Sequence, residues 1–113
     1  MNAALRKRVA AIVAKAAEPL PAGDPGILEA MRRLAAIESL HRDNDLRGDV
    51  EKEVGAQLDP IASDLEDRIL EASPQTDDGI FAMIRYAVHS GYRFSASDPP
   101  VVQVAVLFSR LVA

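Results

Sequence analysis

The sequence predicts an all-α protein in which an antiparallel helical hairpin is extended into a bundle of four to five helices. Apolar residues recur at intervals of three and four along most of the chain, which is the spacing of one helix face. Asp-Pro pairs recur at positions 24, 59 and 98, a pattern typical of helix starts and kinks. The length of 113 residues and the apolar fraction of 49% indicate one domain over residues 1–113.

The first predicted helix lies within residues 1–18 and is expected to be peripheral. Asn2 is available as its N-cap. Three prolines and a glycine between positions 19 and 25 separate this helix from the next one. Its apolar side consists of Leu5, Val9, Ile12, Val13 and Ala16. We therefore expect a short helix that is only loosely tied to the rest of the protein.

The same segment has some features of a secretory signal, because basic residues 6–8 precede apolar residues 9–14. The apolar stretch is too short for such a signal, and Lys15 interrupts it. The other strong apolar stretch, 101–112, lacks the roughly 20 residues that a bilayer requires. We therefore expect a cytoplasmic protein that has no membrane partner.

The predicted hairpin pairs a helix over 24–42 with a helix over 49–72. Asp24 is the expected N-cap of the first helix, since its carboxylate can accept hydrogen bonds from the first-turn amides. Arg32 and Arg33 are expected to point away from the apolar face of that helix. The short connection between the two apolar stripes favours an antiparallel arrangement.

The second helix of the hairpin contains a proline. Its heptad-like apolar seam consists of Val50, Val54, Leu58, Ile61, Leu65, Ile69 and Ala72. The phase of this seam continues across Pro60, so we predict one kinked helix. The alternative is a new helix start at Asp59 and Pro60.

Two further helices are predicted over 77–112. Thr76 is the expected cap of the first of them. The last stretch, 101–112, also alternates as a strand would, but the chain offers no second strand to pair with it. As a helix it would have only Gln103 and Arg110 on a polar strip, so it would require cover on most sides. We therefore expect an oligomer that buries this helix.

Two segments together resemble a family of short helical proteins found in alphaproteobacterial genomes, a group without an assigned activity. The first segment, 24–33, is Asp-Pro-Gly-Ile-Leu-Glu-Ala-Met-Arg-Arg. The second, 73–80, resembles the family's Thr-Pro-x-Thr-x-x-Gly turn, with Ser73 in place of the first threonine. The resemblance covers about residues 24–90, and 1–23 departs from it. It implies a bacterial α-helical protein and transfers no functional residue.

One spacing is compatible with a metal site. Glu38 and His41 are three residues apart and lie near the apolar stripe of their helix, as do the ligands of di-metal bundles. Glu51 is the only close candidate for a further carboxylate. Since the facing seam offers no more ligands, we expect no metal and no cofactor. A nucleophile elbow and a phosphate-binding loop are also missing from the sequence, which argues against an enzyme.

The sequence therefore favours a non-enzymatic protein–protein interaction module that forms a homo-oligomer, with a dimer as the expected form and an unidentified protein as its partner. The candidate contacts are Leu5, Val9, Val54, Leu65, Val104, Leu107, Phe108 and Leu111, of which the last four are preferred. One alternative is a metal-binding bundle centred on Glu38 and His41. Another is a nucleic-acid accessory protein that acts through Arg6, Lys7 and Arg8. The excess of 17 acidic over 13 basic residues argues against the nucleic-acid alternative.

Overall fold

The computed structural model describes residues 1–89 and 99–112. They form five α-helices, without a strand in these two ranges, so the predicted all-α class is confirmed. The helices are α1 (Ala3–Ala16), α2 (Asp24–Asp43), α3 (Gly48–Glu71), α4 (Asp77–His89) and α5 (Pro99–Val112). Within the same ranges, none of the helices combines the length and apolar content needed to cross a bilayer.

The core lies mainly between α2 and α3, which form the predicted antiparallel hairpin. Every third or fourth residue of each helix faces the other helix, so the two apolar stripes close against each other. The buried side chains of this interface include Leu34, Ile37, Leu40, Val54, Leu58, Leu65 and Ile69. Leu40, Leu58 and Ile69 are fully buried.

The helix α3 continues through Pro60, as the seam of apolar residues predicted. Pro60 is exposed, so its ring does not disturb the packed face. The carbonyl of Ala56 loses the hydrogen bond that a non-proline residue would donate, and Ala56 is also exposed to water. The alternative of a new helix start at residues 59 and 60 is wrong.

The helix α1 is more firmly attached than the sequence indicated. Leu5 and Val9 are buried in the core, where α1 packs against both α2 and α3. Asn2 caps the helix as expected, since its Oδ1 accepts a 2.8 Å hydrogen bond from the amide of Leu5. The proline-rich connection after α1 therefore separates the helix in sequence without separating it from the core.

The helices α4 and α5 form the remaining side of the protein. The core residues of α4 are Ile80, Met83 and Ala87, and α4 contacts α2. The helix α5 packs mainly on α4, and its Leu111 is half-buried against the core. The helical conformation of residues 99–112 confirms the prediction of a helix over a strand.

Candidate functional site

The candidate metal residues do not face the interior of the bundle. Glu38 and His41 are both exposed, because Ile37 and Leu40 occupy the buried positions of α2. Glu51 is exposed near the start of α3. Across the described ranges no three His, Cys, Asp or Glu side chains are grouped so that they could hold a metal ion. Glu38 and His41 each follow a buried residue by about 100° of helical rotation, so the pair lies at the edge of the apolar stripe and faces water.

The basic N-terminal residues lie on the solvent side of α1. Arg6, Lys7 and Arg8 are all exposed. The guanidinium of Arg8 lies 3.5 Å from the carboxylate of Asp43 at the end of α2. This pair partly neutralises the basic cluster and joins α1 to the hairpin.

The structure separates the eight predicted contact residues into three groups. Four of them are core residues and cannot form an interface, namely Leu5, Val9, Val54 and Leu65. Phe108 is 58% exposed, whereas Leu111 packs partly against the core of its own chain. The side chains of Val104 and Leu107 lie outside the described part of the structure. Periodicity identifies an apolar face but does not tell whether the face is covered from within the chain.

The carboxylate of Asp24 joins the start of α2 to the start of α4. It does not cap its own helix, whose N-cap residue is Gly23. Its Oδ1 accepts a 2.9 Å hydrogen bond from the amide of Gln75, and its Oδ2 accepts bonds from the amide and the hydroxyl of Thr76. The prediction that Asp24 caps its own helix is therefore wrong, because the carboxylate is directed towards a loop 51 residues later in the chain.

Residues 74–79 make close contact with the carboxylate of Asp24. Thr76 caps α4 as predicted, since its Oγ1 accepts a 3.1 Å hydrogen bond from the amide of Gly79. Pro74 is fully buried. A Cβ on Gly79 would overlap the carboxylate of Asp24 and would lie 3.1 Å from the Cβ of Pro74. The absence of a side chain at Gly79 therefore allows the loop and the carboxylate to meet.

The hydrogen bonds at this junction change the ionisation of Asp24. The hydroxyl of Thr76 and the amide of Gln75 lower the pKa of Asp24, and burial opposes them less strongly. The amide of Thr76 and the positive charge of Arg110 on α5 act in the same direction as the hydroxyl. The junction, which we call the Asp24 junction, consists of Asp24, Pro74, Gln75, Thr76 and Gly79.

A second polar junction holds the loop after α1. The guanidinium of Arg33 is buried, contrary to the expectation that it points to solvent. Its Nη1 donates a 2.8 Å hydrogen bond to the carbonyl of Glu18, and its Nε lies 3.2 Å from Glu29. Hydrogen bonds from Arg32 and Arg33 lower the pKa of Glu29. These contacts satisfy the buried charge and connect α1 to α2.

Exposed large hydrophobic side chains in the described structure are concentrated on α4 and α5. Six large hydrophobic side chains are exposed in the described ranges, and only Val13 lies outside α4 and α5. The other five form what we call the α4–α5 apolar surface: Phe81, Val88, Val106, Phe108 and Val112. Phe81 is 54% exposed, so both described phenylalanines of these helices are more than half accessible. This surface is the candidate functional site.

A shallow groove of about 370 Å³ runs between α2 and α4, next to Phe81. Its apolar lining consists of Leu28, Met31, Ala35, Ala82 and Tyr86. Two arginines, Arg32 on α2 and Arg85 on α4, also line it. Arg32 is paired with Glu29, so within the described structure Arg85 supplies the uncompensated positive charge beside the apolar walls. Sequence patterning did not reveal this groove, because it arises from the small residues that two helices bring together.

The chain was compared with protein-family models, curated proteins and solved structures, and none of them matches it significantly.

Proposed function

We propose that this protein is a non-enzymatic helical interaction module, and that two copies associate through the α4–α5 apolar surface. The observation that carries the proposal is the concentration of exposed hydrophobic side chains on these two helices. The hydrophobic residues of the α2–α3 hairpin are in contrast largely buried. Hydrophobic side chains that are exposed together on one part of a soluble protein mark a binding surface more often than isolated ones do.

The shape of the molecule explains why this surface remains uncovered. The protein measures about 52 × 30 × 19 Å, so it is thin in one direction. The helix α5 packs mainly on α4 and has little other contact within the described structure. A second copy supplies the missing cover without requiring any other component.

Burial of the aromatic rings contributes a substantial part of the free energy of association, but the rings alone do not clearly exceed its cost. A phenylalanine that is about half exposed leaves roughly 100 Å² in contact with water. Burying that area contributes about 2.5 kcal/mol at about 25 cal/mol per Å². Four such rings in a symmetric dimer would contribute about 10 kcal/mol, which is comparable with the cost of association of about 4–15 kcal/mol. The valines of the surface and its polar rim are therefore needed as well.

The test is the oligomeric state of two matched variants, each measured by light scattering after size exclusion. Phe108→Asp places a charge on the surface and is expected to convert the dimer into a monomer. Phe108 is 58% exposed, so the substitution should leave the fold intact, and far-ultraviolet circular dichroism checks this. Val13→Asp is the control, because Val13 is 38% exposed on α1, outside the α4–α5 apolar surface. An unchanged mass for Phe108→Asp would contradict the proposal for α5.

A further inference from the structure

The outward face of α4 has a particular order of side chains. Asp78, Phe81, Ala82 and Arg85 lie at relative positions 0, 3, 4 and 7, so they share one side of the helix. Asp78, Phe81 and Arg85 are exposed, and Ala82 is half-buried beside the groove. Along the helix the order is therefore acid, ring, small residue and base.

When two copies of this helix run in opposite directions, each side chain of the series faces a side chain that complements it. In an antiparallel helix pair, the numbers of two facing residues add up to a constant. A pairing that sets Asp78 opposite the partner's Arg85 also sets Phe81 opposite the partner's Ala82. The axis of twofold symmetry passes between positions 81 and 82, and each contact occurs twice, as in any isologous interface. A parallel pairing would instead bring the two copies of Asp78 together.

From this self-complementarity we infer that α4 of one copy packs antiparallel on α4 of a second copy, with Phe81 seated in the partner's groove between α2 and α4. The inference rests on the proposed self-association and specifies its geometry. The ring of Phe81 meets the small side chain of the partner's Ala82, where the groove offers space and apolar walls. Asp78 meets the arginine at the edge of that groove.

The available charges favour a second copy over another apolar partner. In the described parts of the chain, neither Asp78 nor Arg85 forms an ion pair. The groove contributes positive charge, and the helix that would enter it carries an acid one turn before Phe81. Opposite charges that meet across an interface fix its register.

The experiment is a charge exchange measured by sedimentation equilibrium. Asp78→Arg alone and Arg85→Asp alone each create two like-charge contacts in a homodimer, and each should raise Kd by at least about tenfold. An equimolar mixture of the two variants restores both ion pairs, so it should form a heterodimer with a Kd near that of the wild type. The double variant should again form a homodimer. Asp67→Arg, an exposed reversal on α3, is the control for net charge and should leave Kd unchanged.

The outcomes separate the inference from the proposed function. A wild type that dimerises, with single variants that dimerise equally well, overturns the α4 pairing and leaves the self-association intact. If the single variants associate more weakly, and neither mixing nor the double exchange restores association, the pairing of Asp78 with the partner's Arg85 is overturned. A wild type that is monomeric at all concentrations overturns both. Rescue in the mixture also shows that each single variant is folded.

Discussion

Replacing Gly79 by alanine tests the Asp24 junction. The substitution raises helix propensity but introduces steric overlap, and we expect the overlap to have the larger effect on the free energy of unfolding. Alanine favours a helix over glycine by about 1 kcal/mol. The added Cβ would however lie 2.7 Å from the carboxylate carbon of Asp24 and 3.1 Å from Pro74, and overpacking of this kind costs about 1–3 kcal/mol. The net loss in the free energy of unfolding is up to about 2 kcal/mol. Weakened hydrogen bonds to residues 75 and 76 add to it.

Urea denaturation followed by circular dichroism measures this loss, and Gly55→Ala is the matched control. Gly55 also lies within a helix, but a Cβ there would meet only the exposed carboxylate of Asp59 at 3.0 Å, which can move away. Gly55→Ala should therefore stabilise the protein by up to about 1 kcal/mol. In an Asp24→Ala background the overlap with the carboxylate is removed and only the 3.1 Å approach to Pro74 remains, so Gly79→Ala should cost less than in the wild type. A Gly79→Ala variant as stable as the wild type would refute the proposed close contact.

Three further predictions concern other features of the fold. Arg33→Met removes the hydrogen bonds to the carbonyl of Glu18 and to Glu29, and should lower the free energy of unfolding by about 1.5–3 kcal/mol in urea titrations. Because folding lowers the pKa of Asp24, its ionisation stabilises the protein above about pH 4, and this contribution should be lost as the pH falls below that value, as unfolding curves can show. Pro60→Ala restores a hydrogen bond in α3 and should raise the free energy of unfolding by about 1–3 kcal/mol.

The first two of these predictions have a comparison variant. Arg32→Met removes a guanidinium whose side chain is 71% exposed and should change stability by less than about 0.5 kcal/mol. Asp24→Asn lacks the titrating group. The difference in the free energy of unfolding between this variant and the wild type should therefore become smaller as the pH falls from 5 to 3. A variant at position 24 that follows the same pH curve as the wild type would contradict the assigned pKa direction. A loss of stability in Pro60→Ala would mean that the proline contributes more by restricting the unfolded chain.

The helices could be predicted from the sequence because their determinants are local. The spacing of apolar residues in α3 persists across Pro60, and that periodicity was enough to predict one helix. The caps at Asn2 and Thr76 depend on a hydrogen bond to an amide three residues later, so they are also visible in the sequence. These features do not require knowledge of how the helices pack.

The contacts between helices could not be predicted in the same way. Asp24 is a residue type typical of an N-cap, but its carboxylate accepts hydrogen bonds from Gln75 and Thr76. No periodic pattern in the sequence links positions that far apart. Arg33 is polar and adjacent to the exposed Arg32, yet its side chain is buried and donates a hydrogen bond to the carbonyl of Glu18. Both segments of the sequence resemblance meet at the Asp24 junction.

The candidate site was predicted in part. The apolar composition of α5 predicts a surface that a second copy covers, and the structure shows Phe108 to be 58% exposed within one chain. The exposure of Phe81 on α4 was not predicted, because Phe81 lies within an apolar stretch whose neighbours Ile80 and Met83 are buried. Those neighbours differ from Phe81 by about 100° to 200° of helical rotation. The position of α2 beside α4 decides which of these directions is covered.

Self-association can be measured by sedimentation equilibrium of the unmodified chain from low micromolar to millimolar concentration. We expect a reversible transition from the mass of one chain to the mass of two as the concentration rises. A single-chain mass over the whole range would mean that the hydrophobic side chains of α4 and α5 remain in water without a partner copy, and it would contradict the account.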